Sequence, residues 1–134
     1  MMSDLRYGLL GPLEVFRDGD RVAINGPKLR VLLATLLLRA NATVSMDQLG
    51  ERMWGENPPS TARKSVQLYV MRLRRILGDD GLIETRPDGY LMKVLPGQVD
   101  LLEFRRLTEQ ARDAADLHDE LDLLNEALGC WRGP

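Results

Sequence analysis

Apolar positions follow three rhythms along the chain. In the first 26 residues the runs are strand-sized. RYGLL (Arg6–Leu10) and LEVFR (Leu13–Arg17) are separated by Gly11-Pro12, and RDGDR (Arg17–Arg21) centres an Asp-Gly turn before the alternating VAIN (Val22–Asn25). From Gly26-Pro27 the period changes. Leu29, Leu32, Leu33, Leu36 and Leu37 recur at i, i+3, i+4, i+7 and i+8, which predicts a core helix over about Lys28–Ala40 with a proline at its permissive first position. TVS (Thr43–Ser45) is a brief strand. Ser45 and Gln48 make a capping box ahead of Leu49, Met53 and Trp54, in a short helix ending near Gly55. Pro58-Pro59 keeps GENPPS (Gly55–Ser60) out of any helix, and Ser60 or Thr61 caps a third helix that stops at Gly78. LIETR and YLMKV flank Pro87-Asp88-Gly89 as a hairpin. Beyond Pro96-Gly97, Asp100 and Glu103 cap a helix carrying Leu101, Phe104, Ala111 and Ala115. Asp119 starts another, carrying Leu121, Leu124, Leu128 and Trp131.

The third helix has an unusual outer face. With Val66 as zero and 100° per residue, Val70, Leu73 and Leu77 fall within about 40° of it, with Ala62 and Tyr69 nearby. The opposite side carries Lys64, Gln67, Arg72 and Arg75 together with Leu68 and Met71, which have no core to face. Thr61–Ile76 holds five basic residues and no acid.

Composition narrows the reading. The chain has 134 residues, 44% hydrophobic and 28% charged, the profile of one globular domain or two very small ones. Asp4 and Arg6 stand where a secretory signal needs an apolar core, and VLLATLLL (Val31–Leu38) is too short to span a bilayer, so a cytoplasmic protein with no membrane partner is expected. Cys130 is the one cysteine, which argues against disulfides and thiolate metal sites. The net charge of −2 hides a split: residues 1–98 hold 14 basic and 11 acidic residues, residues 99–134 hold 4 and 9. A nucleic-acid partner is therefore compatible with the first part.

Catalytic constellations are missing. His118 falls among acids in an expected interhelix turn, and Asp79-Asp80 follows a helix end in a loop; both read as solvated residues. No nucleophile elbow, phosphate loop, dinucleotide fingerprint or metal-ligand spacing occurs, so no enzyme, cofactor or metal is expected.

Three helices followed by a β-hairpin are the elements of a winged helix, whose last helix enters the DNA major groove. On that reading Arg72 approaches guanine O6 and N7, Gln67 pairs with adenine, and Leu68 and Met71 lie against thymine methyls or sugar edges. Lys64, Arg74 and Arg75 hold phosphates, while Arg86 at the hairpin reaches the neighbouring minor groove or its phosphates. A solvated basic helix, or a winged helix used as a protein-interaction module without specific DNA binding, is the alternative.

The chain also resembles the Streptomyces antibiotic regulatory proteins, the AfsR/DnrI/RedD type of activator. The resemblance rests on LLGPLEV (Leu9–Val15), GPKLRVLLATLLLRAN (Gly26–Asn41), the long stretch Val44–Gly78, IETRPDGYLMKV (Ile83–Val94), VDLLEFRRL (Val99–Leu107) and ALGCWRGP (Ala127–Pro134). It implies an α+β fold: an OmpR-type winged helix over residues 1–96, with an N-terminal antiparallel sheet, three helices and a β-hairpin wing. Residues 97–134 are then the first helices of an all-α bacterial transcriptional activation domain. Longer members continue past WRGP, so the chain reads as a truncated or short form. The resemblance implies a transcriptional activator of antibiotic-type genes that sits on promoter direct repeats in double-stranded DNA, in the bacterial nucleoid, and leaves room for a homodimer there. It further implies DNA contacts from Lys64, Ser65, Gln67, Leu68, Tyr69, Arg72, Arg74 and Arg75. It implies contact with RNA polymerase holoenzyme through Trp54, Gly55, Glu56, Asn57, Pro58 and Pro59.

Overall fold

The computed structural model describes residues 4–132. In chain order the elements are β1 (Leu5–Gly8), β2 (Glu14–Arg17), β3 (Asp20–Val22), α1 (Pro27–Leu38), β4 (Thr43–Ser45), α2 (Met46–Trp54), α3 (Ala62–Leu77), β5 (Ile83–Arg86), β6 (Gly89–Met92), α4 (Asp100–Arg112) and α5 (Leu117–Leu128). The fold is a winged helix preceded by an antiparallel sheet and followed by a helical pair. Two compact units form. One is Val22–Val94; the other joins the first 21 residues to those from Leu95 onward. Sequence reading draws a single boundary after residue 96, whereas compactness places the N-terminal strands with α4 and α5.

In the unit of residues 22–94, α1 buries all five leucines that the helical period selects. Each contributes about 1.5–3 kcal/mol by leaving water. Helix α2 begins with the expected box: Gln48 N donates to Ser45 Oγ at 3.1 Å, and Ser45 N donates to Gln48 Oε1 at 3.2 Å. Helix α3 buries Val66, Val70, Leu73 and Leu77, the stripe drawn from the sequence, and ends at the left-handed Gly78. Thr61 is its N-cap by position, but its side chain makes no capping hydrogen bond.

The second sheet runs β4-β6-β5. Strand β4 pairs antiparallel with β6, Val44 opposite Tyr90 and Ser45 opposite Gly89, so the brief TVS strand is the third strand of the wing sheet. Gly89 is obligatory there: a Cβ would sit 1.9 Å from the carbonyl oxygen of Val44. Pro87 and Asp88 form the two-residue loop of the β5–β6 hairpin, with Arg86 opposite Gly89.

In the other unit, β1 and β2 pair antiparallel, Tyr7 opposite Val15. Asp18 (φ 51°) and Gly19 (φ 88°) turn the chain into β3, which ends at Val22, short of the expected VAIN strand. The two C-terminal helices start differently from expectation. The N-cap of α4 is Val99, not Asp100. Asp100 lies inside the first turn, where its carboxylate accepts from Leu9 N (2.7 Å) and Leu10 N (3.1 Å). Glu103 pairs with Arg106 rather than closing a cap. Arg132 completes this knot, donating to Asp100 (3.3 Å), the Pro12 carbonyl (2.7 Å) and Glu14 (2.9 Å). Helix α5 begins at Leu117 and is capped by Asp116, which accepts from Asp119 N at 2.8 Å. Ala115 therefore lies between the helices, and His118 sits in the first turn of α5, exposed, 3.4 Å from Asp122. Gly133 and Pro134, the end of the ALGCWRGP segment, lie outside the described residues.

Candidate nucleic-acid interface

The stripe that buries α3 forces its opposite face outward. Lys64, Gln67, Arg72 and Arg75 are exposed along it, and Leu68 and Met71 are 57% and 54% exposed. No acid occurs from Ala62 to Leu77, so this face presents cations, an amide and apolar surface together. These are the group types that phosphates, base edges and thymine methyls accept.

The arginines of α3 do different things. The guanidinium of Arg72 lies 5.5 Å from the ring centroid of Tyr69, three positions back on the same helix. That cation–π contact restrains a long side chain while leaving its fork exposed. Tyr69 is half-buried, as expected of a residue at the edge of the apolar stripe. Arg75 is exposed near the helix end. Arg74 is turned to the wing. Its Nε donates to the Ile83 carbonyl at 3.1 Å, its terminal nitrogen donates to that carbonyl and to Thr85 Oγ1 (2.9 Å), and it lies 5.8 Å from the Tyr90 ring centroid. The sequence reading gives Arg74 to a phosphate; the structure commits it to β5 and β6. Ser65 is half-buried near the start of the helix, with its N–H bonded to the Thr61 carbonyl.

Alternation sorts the wing into two faces. Ile83, Tyr90 and Met92 are buried, and Thr85 shares their face through its bond to Arg74. Glu84, Arg86 and Lys93 carry the other. One carboxylate spans both cations: Glu84 Oε2 is 2.7 Å from Arg86 and Oε1 is 2.7 Å from Lys93. The Lys93 ammonium, hydrogen-bonded to it, and then Arg86 hold the Glu84 carboxyl below the ordinary glutamate range. Sequence reasoning singled out Arg86 and missed Lys93 and Glu84. Their signal was period-two spacing: positions 84 and 86 share a face of β5, and Lys93 follows Leu91, the partner of Glu84, by two.

Between α2 and α3, Gly55, Glu56, Asn57, Pro58 and Pro59 are all exposed, and Trp54 is half-buried. Lys28, at the start of α1, donates to the Met53 carbonyl and lies 5.1 Å from the Trp54 ring centroid. A cation at the carbonyl end of α2 is favoured by the helix dipole and fixes the root of this loop. Glu56, Pro58 and Pro59 border an open cleft with Asp47, Glu51 and Arg63. Among the described residues no group of three or more His, Cys, Asp or Glu side chains could hold a metal, and no helix is long and apolar enough to cross a membrane.

Residues 21–92 match the family described as transcriptional regulatory protein, C terminal. The chain is similar to the regulatory protein AfsR of Streptomyces coelicolor, with 42% identity over 133 residues, covering 96% of this chain and 13% of AfsR. The structure of Mycobacterium tuberculosis EmbR, solved with a low-affinity phosphopeptide, superposes with a TM-score of 0.90 at 35% identity, covering 99% of this chain and 37% of EmbR. The DNA-binding domain of Klebsiella pneumoniae RstA, solved in complex with the RstA box, shares the fold at a TM-score of 0.52 and 23% identity, covering 63% of this chain and 88% of that domain. The chain thus spans a minor part of the first two relatives.

Proposed function

Because the chain belongs to the family of transcriptional regulatory protein C-terminal domains, in its OmpR-type winged-helix form, we propose that it is a sequence-specific DNA-binding activator of transcription and not an enzyme. The observation that carries this reading is the outer face of α3: exposed cations, an amide and two apolar side chains, with no acid on the helix. On such a duplex contact Arg72 and Gln67 meet base edges, Leu68 and Met71 meet thymine methyls, and Lys64 and Arg75 neutralise phosphates. Ser65 and Tyr69 flank that face, and Arg86 reaches phosphates beside the minor groove. Arg74 acts from behind, by holding the wing.

The finer parts of the proposal follow the resemblance. The targets are promoters of antibiotic-type biosynthetic genes, read as direct repeats in the cytoplasm by one or two copies of the protein. Residues 1–96 serve as the DNA-binding part, and residues 97–134 open a helical activation part. The loop Trp54–Pro59 touches RNA polymerase. Exposure of Leu68 and Met71 also suits a protein-binding surface, but such a surface is depleted of charge at its centre, and this face carries Lys64 and Arg75 at its centre beside Leu68 and Met71.

A salt titration tests the proposal. Binding to duplex selected by the protein from a random pool should be tighter than to random duplex, and log affinity should fall linearly with log salt. Lys64→Ala should weaken both complexes alike and reduce the salt slope by about one. Equal affinity for selected and random duplex would leave a non-specific binder, and no salt dependence would remove DNA altogether.

A further inference from the structure

Glu84 has no place in the DNA reading. It is an acid on the outer face of the wing, between the two cations that face offers. Its side chain is 31% exposed, and those of Arg86 and Lys93 are 45% and 56% exposed, so all three are accessible to a ligand. Each carboxylate oxygen takes one cation, at 2.7 Å in both cases. The spacing of the strands makes this possible. Glu84 and Arg86 are two apart on β5, and Lys93 is diagonal to Glu84 across the ladder that pairs Glu84 with Leu91 and Ile83 with Met92. The inner face is closed to these side chains, because Ile83, Tyr90 and Met92 are buried there.

We propose that Glu84 is an affinity-limiting residue: its carboxylate occupies Arg86 and Lys93 in the free protein, as a phosphate would, and DNA phosphate has to displace it. The proposal rests on the reading of the wing as a DNA contact. A carboxylate and a phosphodiester offer the same cations two acceptor oxygens, so the two compete. When the wing docks, Glu84 either loses both partners or stays beside them and repels the backbone. Either way the outer face delivers a net charge of one to DNA, although it carries two cations. The wing then adds contact without adding the full non-specific attraction of two unpaired cations, and its grip on random sequence stays weak.

Glu84→Gln tests this in the intact chain, because glutamine keeps the size of the side chain, drops the charge and replaces one of the two acceptor oxygens with a donor. The probes are a random-sequence duplex and a duplex selected by the protein. Affinity for the random duplex should rise about three- to tenfold at low salt, and the salt slope should steepen by about 0.9, the increment for one more neutralised phosphate on B-DNA. Between about 50 and 200 mM salt the gain should shrink roughly threefold. The same substitution in an Arg86→Ala/Lys93→Ala background separates local competition from a general change in charge. There the gain should largely vanish. Melting temperatures establish that each variant is folded.

The outcomes divide cleanly. If Arg86→Ala/Lys93→Ala alone leaves DNA affinity unchanged, the wing does not touch DNA and the underlying reading fails. If that double variant weakens binding but Glu84→Gln does not tighten it, the wing reading stands and the role of Glu84 is overturned. A gain of equal size with and without the two cations also overturns it, since Glu84 would then act only through overall charge.

Discussion

Arg72 and Arg74 lie two residues apart on α3, and the structure gives them opposite tasks. Arg72 points outward, steadied by the Tyr69 ring, with its fork free. Arg74 points to β5 and spends its fork on Ile83 and Thr85. The difference makes the arginine at position 72 testable by its shape. Arg72→Lys keeps the charge, so binding to random duplex should hardly change. A lysine ammonium lacks the planar pair of donors that meets guanine O6 and N7, so binding to the selected duplex should weaken by about 1–3 kcal/mol and discrimination at one base pair should relax. Fluorescence anisotropy on single-base variants reads this directly. Undiminished discrimination at every position would pass the base-reading role to Gln67.

Arg74 ties the wing to α3 through its side chain. Arg74→Ala removes three donated hydrogen bonds and the contact with Tyr90. The carbonyl of Ile83 would then lose a charged donor in a part-buried place. A loss of about 1–3 kcal/mol in unfolding free energy is expected, the range for hydrogen bonds to charged groups and for stranded acceptors. Arg74→Lys should rescue little, because a single ammonium cannot serve Ile83 and Thr85 in one plane. Urea denaturation gives the stability, and amide exchange of Glu84, Thr85 and Tyr90 reports whether the hairpin loosens. A variant of unchanged stability that binds DNA less tightly would return Arg74 to the phosphate role the sequence suggests.

At the scale of the whole chain, the two compact units divide the charge more sharply than a cut after residue 98 does. Residues 22–94 carry eleven basic and seven acidic side chains, a net of +4; the remaining residues carry seven and thirteen, a net of −6. The basic unit contains α3, the wing and the Trp54–Pro59 loop, so DNA and polymerase contact are proposed for one unit. Binding and activation should nevertheless come apart. Glu56→Ala lies in the exposed loop, off the outer face of α3, and should leave affinity for selected duplex unchanged while lowering transcription in a reconstituted assay several-fold. If the two fall in parallel, the loop serves DNA binding or folding instead.

Local patterns settled much of this. The five leucines of α1, the capping box of α2, the buried stripe of α3 and the existence of the hairpin depend on helical period, cap chemistry and strand alternation, and each is readable within about a dozen residues, although Gly89, read as part of the turn, is the first residue of β6. The exposed face of α3 followed from the same arithmetic, since burying one side leaves the other to solvent. Long-range contacts were not readable in this way. Asp100 looks like a helix cap because Glu103 stands three residues on, but the backbone amides of Leu9 and Leu10, some ninety positions away, claim its carboxylate. The β4 strand joins the hairpin only because Gly89 lets Val44 approach, and Arg74 meets Ile83 only once the fold brings β5 within reach of its side chain. In α5 the period selected Leu121 and Leu128 as packing residues, yet they are 50% and 64% exposed, while Ala127 is buried. Periodicity tells which side chains share a face; only the tertiary structure decides which face has a neighbour, because a hydrogen bond or an apolar contact depends on distance in space rather than separation along the chain.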